Sequence, residues 1–164
     1  MAVMHRLREI SGEILKKLPS SREDAIAVYV PTFGAISYSV FALNIMEHAR
    51  FKRLFAPNEL LVANTLWLNA HLGIGFFIYS RRHLSDSPVY KRIIYSAFGT
   101  IAFNFGSVLL WASLKSLLPN STGLRVLFGL LSSWGLLYVG KDYLDHVDTH
   151  VPSIPVDSVT TLEE

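Results

Sequence analysis

The chain has 164 residues, of which 51% are hydrophobic and only 17% charged. That balance excludes an intrinsically disordered chain and falls below the roughly 25% charged residues of an ordinary soluble domain. Fifteen basic against 13 acidic residues leave a net charge of +2, which gives no electrostatic footprint for nucleic acid. The absence of cysteine removes disulfides, zinc–thiolate sites and thiol catalysis.

The charge deficit is concentrated. No Asp, Glu, Lys or Arg occurs in Ala25–Met46, Leu60–Ser80, Ile93–Leu114 or Val126–Gly140. A helix in a soluble bundle needs a charged face for water, with charges recurring every three or four residues. Three of these runs are long enough for the ~20 apolar residues a bilayer demands, and a helix satisfies its own backbone hydrogen bonds there.

In chain order, Met1–Ser21 comes first, with Leu7, Ile10, Ile14 and Leu18 at helical spacing among charged residues. This predicts a surface helix within an amphipathic segment, 1–24, that precedes the membrane. Glu9 and Glu13 oppose a mitochondrial presequence, and the run from Ala25 is too long for the core of a cleaved signal. Span one is expected at 25–46, with Pro31 near its start, where a missing amide costs least. Span two is expected at 60–80. Span three runs 93–118, stopped by Pro119. Span four, 124–140, reaches only about 25 Å, so Arg125 and Lys141 must snorkel or the bilayer thin. The polar, acidic tail 141–164 is expected to be partly flexible, with Pro152 and Pro155 and no helical periodicity from Val151.

The fold class is therefore an all-α polytopic membrane protein, with four transmembrane helices in an antiparallel bundle joined by short loops. Leu118–Gly123, with Pro119, Asn120 and Gly123, reads as a tight turn between spans three and four. No internal repeat or inverted half of the kind found in transporters is present.

Two patterns address sidedness. Arg6, Arg8, Lys16, Lys17, Arg22, Arg81, Arg82, Lys91, Arg92 and Lys141 fall on one side of a four-span chain. Arg50, Lys52, Arg53, Lys115 and Arg125 fall on the other. The positive-inside rule assigns the richer side, with both termini, to the cytoplasm or matrix. Tyr29, Tyr79, Tyr90, Tyr95, Tyr138 and Tyr143 all fall at that same interface, where an apolar ring and a water-seeking hydroxyl are both accommodated. The endoplasmic reticulum membrane is the expected compartment, entered through an uncleaved first span, with the mitochondrial inner membrane as the alternative.

Few polar groups fall within the spans. His71 is the one ionisable side chain among them that stands out as a ligand or proton contact, with Asn64 and Asn104 lining the same interior. The same residues also serve as packing glue through interhelical hydrogen bonds. Gly99, Ala102 and Gly106 in span three, and Gly129, Ser133 and Gly140 in span four, mark faces where helices can approach closely, within the bundle or against a partner.

Past span four, Asp142, His146 and His150 align on one face if the helix continues, and His-x-x-x-His is a workable metal pair. A solvated amphipathic exit accounts for the same residues. Asn120-Ser121-Thr122 matches a glycosylation acceptor, but sits tightly between two spans. No phosphate-binding loop, nucleophile–base set or paired intramembrane carboxylates appear. The expectation is a small non-enzymatic accessory or assembly factor without a cofactor, whose partners are the lipid bilayer and other membrane proteins. A carrier or channel component using His71 is the alternative, and a metal-dependent lipid-modifying enzyme the more remote one.

Overall fold

The computed structural model describes residues 22–150, and these are helical throughout, with no strand among the described residues. The expected surface helix before Arg22 and the tail from Val151 lie outside the described residues. In order, the helices are α1 (Arg22–Met46), α2 (His48–Phe55), α3 (Glu59–Tyr79), α4 (Arg82–Ser85), α5 (Val89–Leu117) and α6 (Thr122–Thr149). Four of them, α1, α3, α5 and α6, are long and apolar enough to cross a membrane.

Three local features differ from the sequence reading. First, Pro31 lies in the interior of α1, because that helix already begins at Arg22. Its ring leaves the carbonyl four residues earlier without an amide donor. Second, α6 continues past Gly140 to Thr149, so Gly140 marks a change of polarity and not the end of the helix. Lys141–Thr149 holds neither Pro nor Gly, and nothing local stops it. Third, the segments between spans one and two and between two and three carry the short helices α2 and α4.

Helix α1 is the hub. It packs along α3 and also touches α5 and α6, whereas α5 and α6 meet each other only sparingly. The α1–α3 contact is a glycine crossing: a Cβ on Gly34 would stand 2.5 Å from the Cα of Gly73. No side chain larger than hydrogen fits on either residue at that approach. The crossing lies at the middle of α1; at its C-terminal end, Gly129 of α6 lies against Met46, leaving 3.2 Å between a would-be Cβ and the Met46 Cγ.

The interior mixes polar and apolar side chains, while the surface is strongly apolar. Ser37, Tyr38, Ser39, Ser96, Thr100, Asn104, Ser107 and Ser133 are buried. Large apolar side chains lie outside, with Phe98 73%, Trp134 69% and Leu117 80% exposed. In water such a surface would leave a large area of hydrocarbon hydrated, whereas in lipid the outward phenylalanines and leucines meet their own kind. Buried apolar packing centres on Tyr38, Ala42, Met46, Ala70, Ile74 and Trp111. The Tyr38 ring packs against Trp111 at 4.9 Å and Phe103 at 5.5 Å between centroids.

Candidate functional site

The inner face of α5 reads Ser96, Thr100, Asn104, Ser107 and Trp111, all buried and spaced by four, four, three and four residues. A polar side chain in hydrocarbon needs a partner, and the nearest acceptor is the carbonyl one turn back. Thr100 Oγ1 donates to the Ser96 carbonyl at 2.6 Å, Asn104 Nδ2 to Thr100 at 2.9 Å, and Ser107 Oγ to Phe103 at 2.6 Å; Ser96 bonds the carbonyl of Arg92 in the same way. The stripe is thus polar but largely satisfied within its own helix.

Only a few bonds cross between spans. The Tyr38 hydroxyl donates to Ser107 Oγ at 2.6 Å, and the Trp111 indole N–H to Ser132 Oγ at 3.1 Å. Lys115 Nζ donates to the carbonyl of Ile45 at 2.8 Å, near the ends of α5 and α1.

His71, Asn64 and Asn104 do not form one site. The ring of His71 donates from Nδ1 to the Trp67 carbonyl at 2.8 Å and lies against Trp67 and Phe105. Its Nε2 is buried without a hydrogen-bond partner. With Nδ1 carrying the proton, Nε2 is an unused acceptor. His71 borders a shallow apolar crevice of about 440 Å³ between α3 and α5, whose polar lining includes Ser96 and Thr100. Asn64 is exposed on the outer surface of α3, and the Asn104 amide is engaged by its own helix. No hydrogen bond joins any two of the three among the described residues.

The small residues divide in two. A Cβ on Gly99 would meet Ile78 at 3.2 Å, and one on Gly140 would meet Phe103 at 3.3 Å; Gly129 and Ser133 are buried. Ala102 and Gly106 instead face outward, and nothing lies within 4 Å of a Cβ on Gly106. Gly135 of α6 is likewise exposed and open.

The most connected polar cluster joins the end of α3, α4 and the end of α6. Arg81 Nη1 lies 2.5 Å from Asp145 Oδ1 and 3.4 Å from Asp148 Oδ2, with its guanidinium 3.9 Å over the ring of Phe77. Asp148 also accepts the backbone N–H of His83 at 2.9 Å and pairs with the His83 ring at 2.6 Å. Lys141 pairs with Asp145 from the preceding turn of α6. Hydrogen bonds from Lys141 and Arg81 hold the Asp145 carboxyl below the ordinary carboxylate range. Burial pushes Asp148 the other way, and bonds from His83 and Arg81 outweigh it, so its carboxyl is also lowered. Close by, Arg92 Nε donates to the Tyr79 carbonyl at 2.7 Å and its guanidinium stacks over the Tyr79 ring. Sequence spacing did not reveal this cluster, because 64 residues separate Arg81 from Asp145.

His146 and His150 sit with ring centroids 4.3 Å apart, and the ring N–H of His150 is taken by the His146 carbonyl at 2.9 Å. Among the described residues, no three His, Asp or Glu side chains gather in a way that would hold a metal ion, so Asp142, His146 and His150 form no such group. Comparison with known proteins finds no matching family model, no matching curated protein and no matching solved structure. Four apolar helices with lipid-compatible outer faces define the class at the level of a multi-pass membrane protein.

Proposed function

We propose that the chain is a small non-enzymatic accessory or assembly factor that docks partner membrane proteins through helix–helix contacts. The observation that carries this reading is the outward placement of Ala102 and Gly106 on α5. A small-xxx-small pair lets two backbones approach and gain dispersion contacts in lipid, where no hydrophobic force drives helices together. The chain's other close approaches use different residues, so this pair is left free for a partner.

The proposed topology has four alternating crossings with short connections and both termini on the cytoplasmic or matrix side. Arg81 after α3 meets Asp145 late in α6, whereas Lys115 late in α5 meets Ile45 late in α1. Those pairings support an antiparallel bundle. The endoplasmic reticulum is the proposed compartment, on the strength of an uncleaved first span.

The test is affinity isolation in mild detergent, with co-purifying chains identified for the wild type and for Ala102→Leu/Gly106→Leu. The variant should fold normally and lose partners. Unchanged partners, or none in either, would reject the reading. A carrier or channel component is the second reading, favoured by the unpaired Nε2 of His71. His71→Leu should abolish solute flux in a carrier and leave an assembly factor's partners in place.

A further inference from the structure

Helix α2 connects the first two spans. Its sequence, HARFKRLF, is strongly amphipathic: Phe51, Leu54 and Phe55 share one side, and Arg50, Lys52 and Arg53 occupy the rest. Phe51 is buried and packs on Phe55 with centroids 4.6 Å apart, while Leu54 is 76% exposed. The charge-free runs end at Met46 and resume at Leu60, so the helix between them sits at the membrane boundary. It touches both α1 and α3, which fixes it against the end of the bundle.

Charge at this end is unbalanced. Glu47 faces Arg125 at 3.8 Å, and Glu59 faces Lys52 at 3.9 Å. Arg50 and Arg53 are exposed, and among the described residues no carboxylate lies within 4.0 Å of either. The Lys115 ammonium, bonded to the Ile45 carbonyl, adds a further cation. An apolar edge at membrane level beneath uncompensated guanidiniums matches a ligand with acyl chains below and negative phosphates above.

We infer that α2 is an interfacial binding site for anionic phospholipid, with Arg50, Lys52 and Arg53 engaging headgroup phosphates and Leu54 lying among the acyl chains. The site selects charge at the headgroup and not a particular headgroup structure, because arginines on a single eight-residue helix form no enclosing pocket. It needs anionic lipid in the leaflet opposite the termini and is independent of the accessory role.

The full chain is reconstituted in phosphatidylcholine bilayers containing trace spin-labelled phosphatidylcholine, phosphatidylserine or phosphatidylglycerol. The motionally restricted lipid is then measured. Both anionic lipids should be enriched over phosphatidylcholine by roughly threefold or more, with the preference collapsing in about 1 M salt. Arg50→Gln/Lys52→Gln/Arg53→Gln should remove it, and Arg50→Lys/Arg53→Lys should retain it. Because the chain lacks cysteine, a fluorophore on Leu54→Cys localises the contact without the triple variant. Spin-labelled phosphatidylserine should quench that label more than spin-labelled phosphatidylcholine does. Equal restriction of all three lipids, equal quenching at position 54, or a preference surviving the triple substitution would overturn the proposal; the first would leave the basic face to an acidic protein segment.

Discussion

Gly34 of α1 and Gly73 of α3 meet backbone to backbone, and the would-be Cβ of Gly34 stands 2.5 Å from the Cα of Gly73. Neither residue can accept a side chain unless the two helices part. Replacing Gly73 with Leu should separate α1 from α3 and destabilise the protein by about 3 kcal/mol or more. Gly106→Ala, whose Cβ meets nothing within 4 Å, is the control and should be neutral or slightly stabilising. Unfolding in mixed micelles of rising denaturing-detergent content measures both.

The Tyr38–Ser107 bond makes a second, graded prediction. Tyr38→Phe keeps the ring among Phe103 and Trp111 and removes only the hydroxyl, at a cost of roughly 0.6 kcal/mol. Tyr38→Ala also opens a cavity and should cost about 3–5 kcal/mol by the same assay. Equal losses would show that the hydroxyl, and not the ring, supports the core.

Acid should weaken the Arg81–Asp145–Asp148 cluster. Both carboxyls are lowered in the folded chain, so their contribution is complete above the ordinary Asp range and is lost as pH falls through the folded values. The melting midpoint of the wild type should therefore drop on acidification below about pH 4, and Asp148→Asn should flatten that dependence. Asp148→Asn should also melt lower than the wild type at neutral pH, because Arg81 and His83 lose a charged acceptor.

Topology is open to chemistry that the native sequence leaves clear, since no cysteine competes for a thiol reagent. A membrane-impermeant maleimide should reach Asp86→Cys and Thr149→Cys from one side of sealed vesicles. Asn58→Cys and Asn120→Cys should react only from the other. All four residues are exposed. Labelling of all four from a single side would refute four alternating crossings.

The spans were legible because lipid removes the need for charge, and a run of twenty uncharged residues records that directly. Short-range signals were legible too, since Pro119 ends α5 within two residues of its expected stop. What escaped notice depends on distance in the chain. Gly34 and Gly73 each look like one glycine among ten, and only their juxtaposition gives them a role. Ala102 and Gly106 show the converse: their spacing reads as a contact, but spacing does not say whether a neighbouring helix occupies that azimuth. The HARFKRLF helix is written in its polarity, but eight residues are too few for helical periodicity to separate a short helix from a loop.

The hydroxyls of α5 that bond to their own backbone bear on biogenesis. A segment that carries its polar groups already quenched can leave the translocon alone, with no sister helix waiting to receive it. The bonds of Tyr38, Trp111 and Lys115 would then join segments already in the bilayer. Membrane entry and tertiary association become separable events, so two halves of the chain expressed as independent fragments, divided at Asp86 between α4 and α5, should find each other within the bilayer.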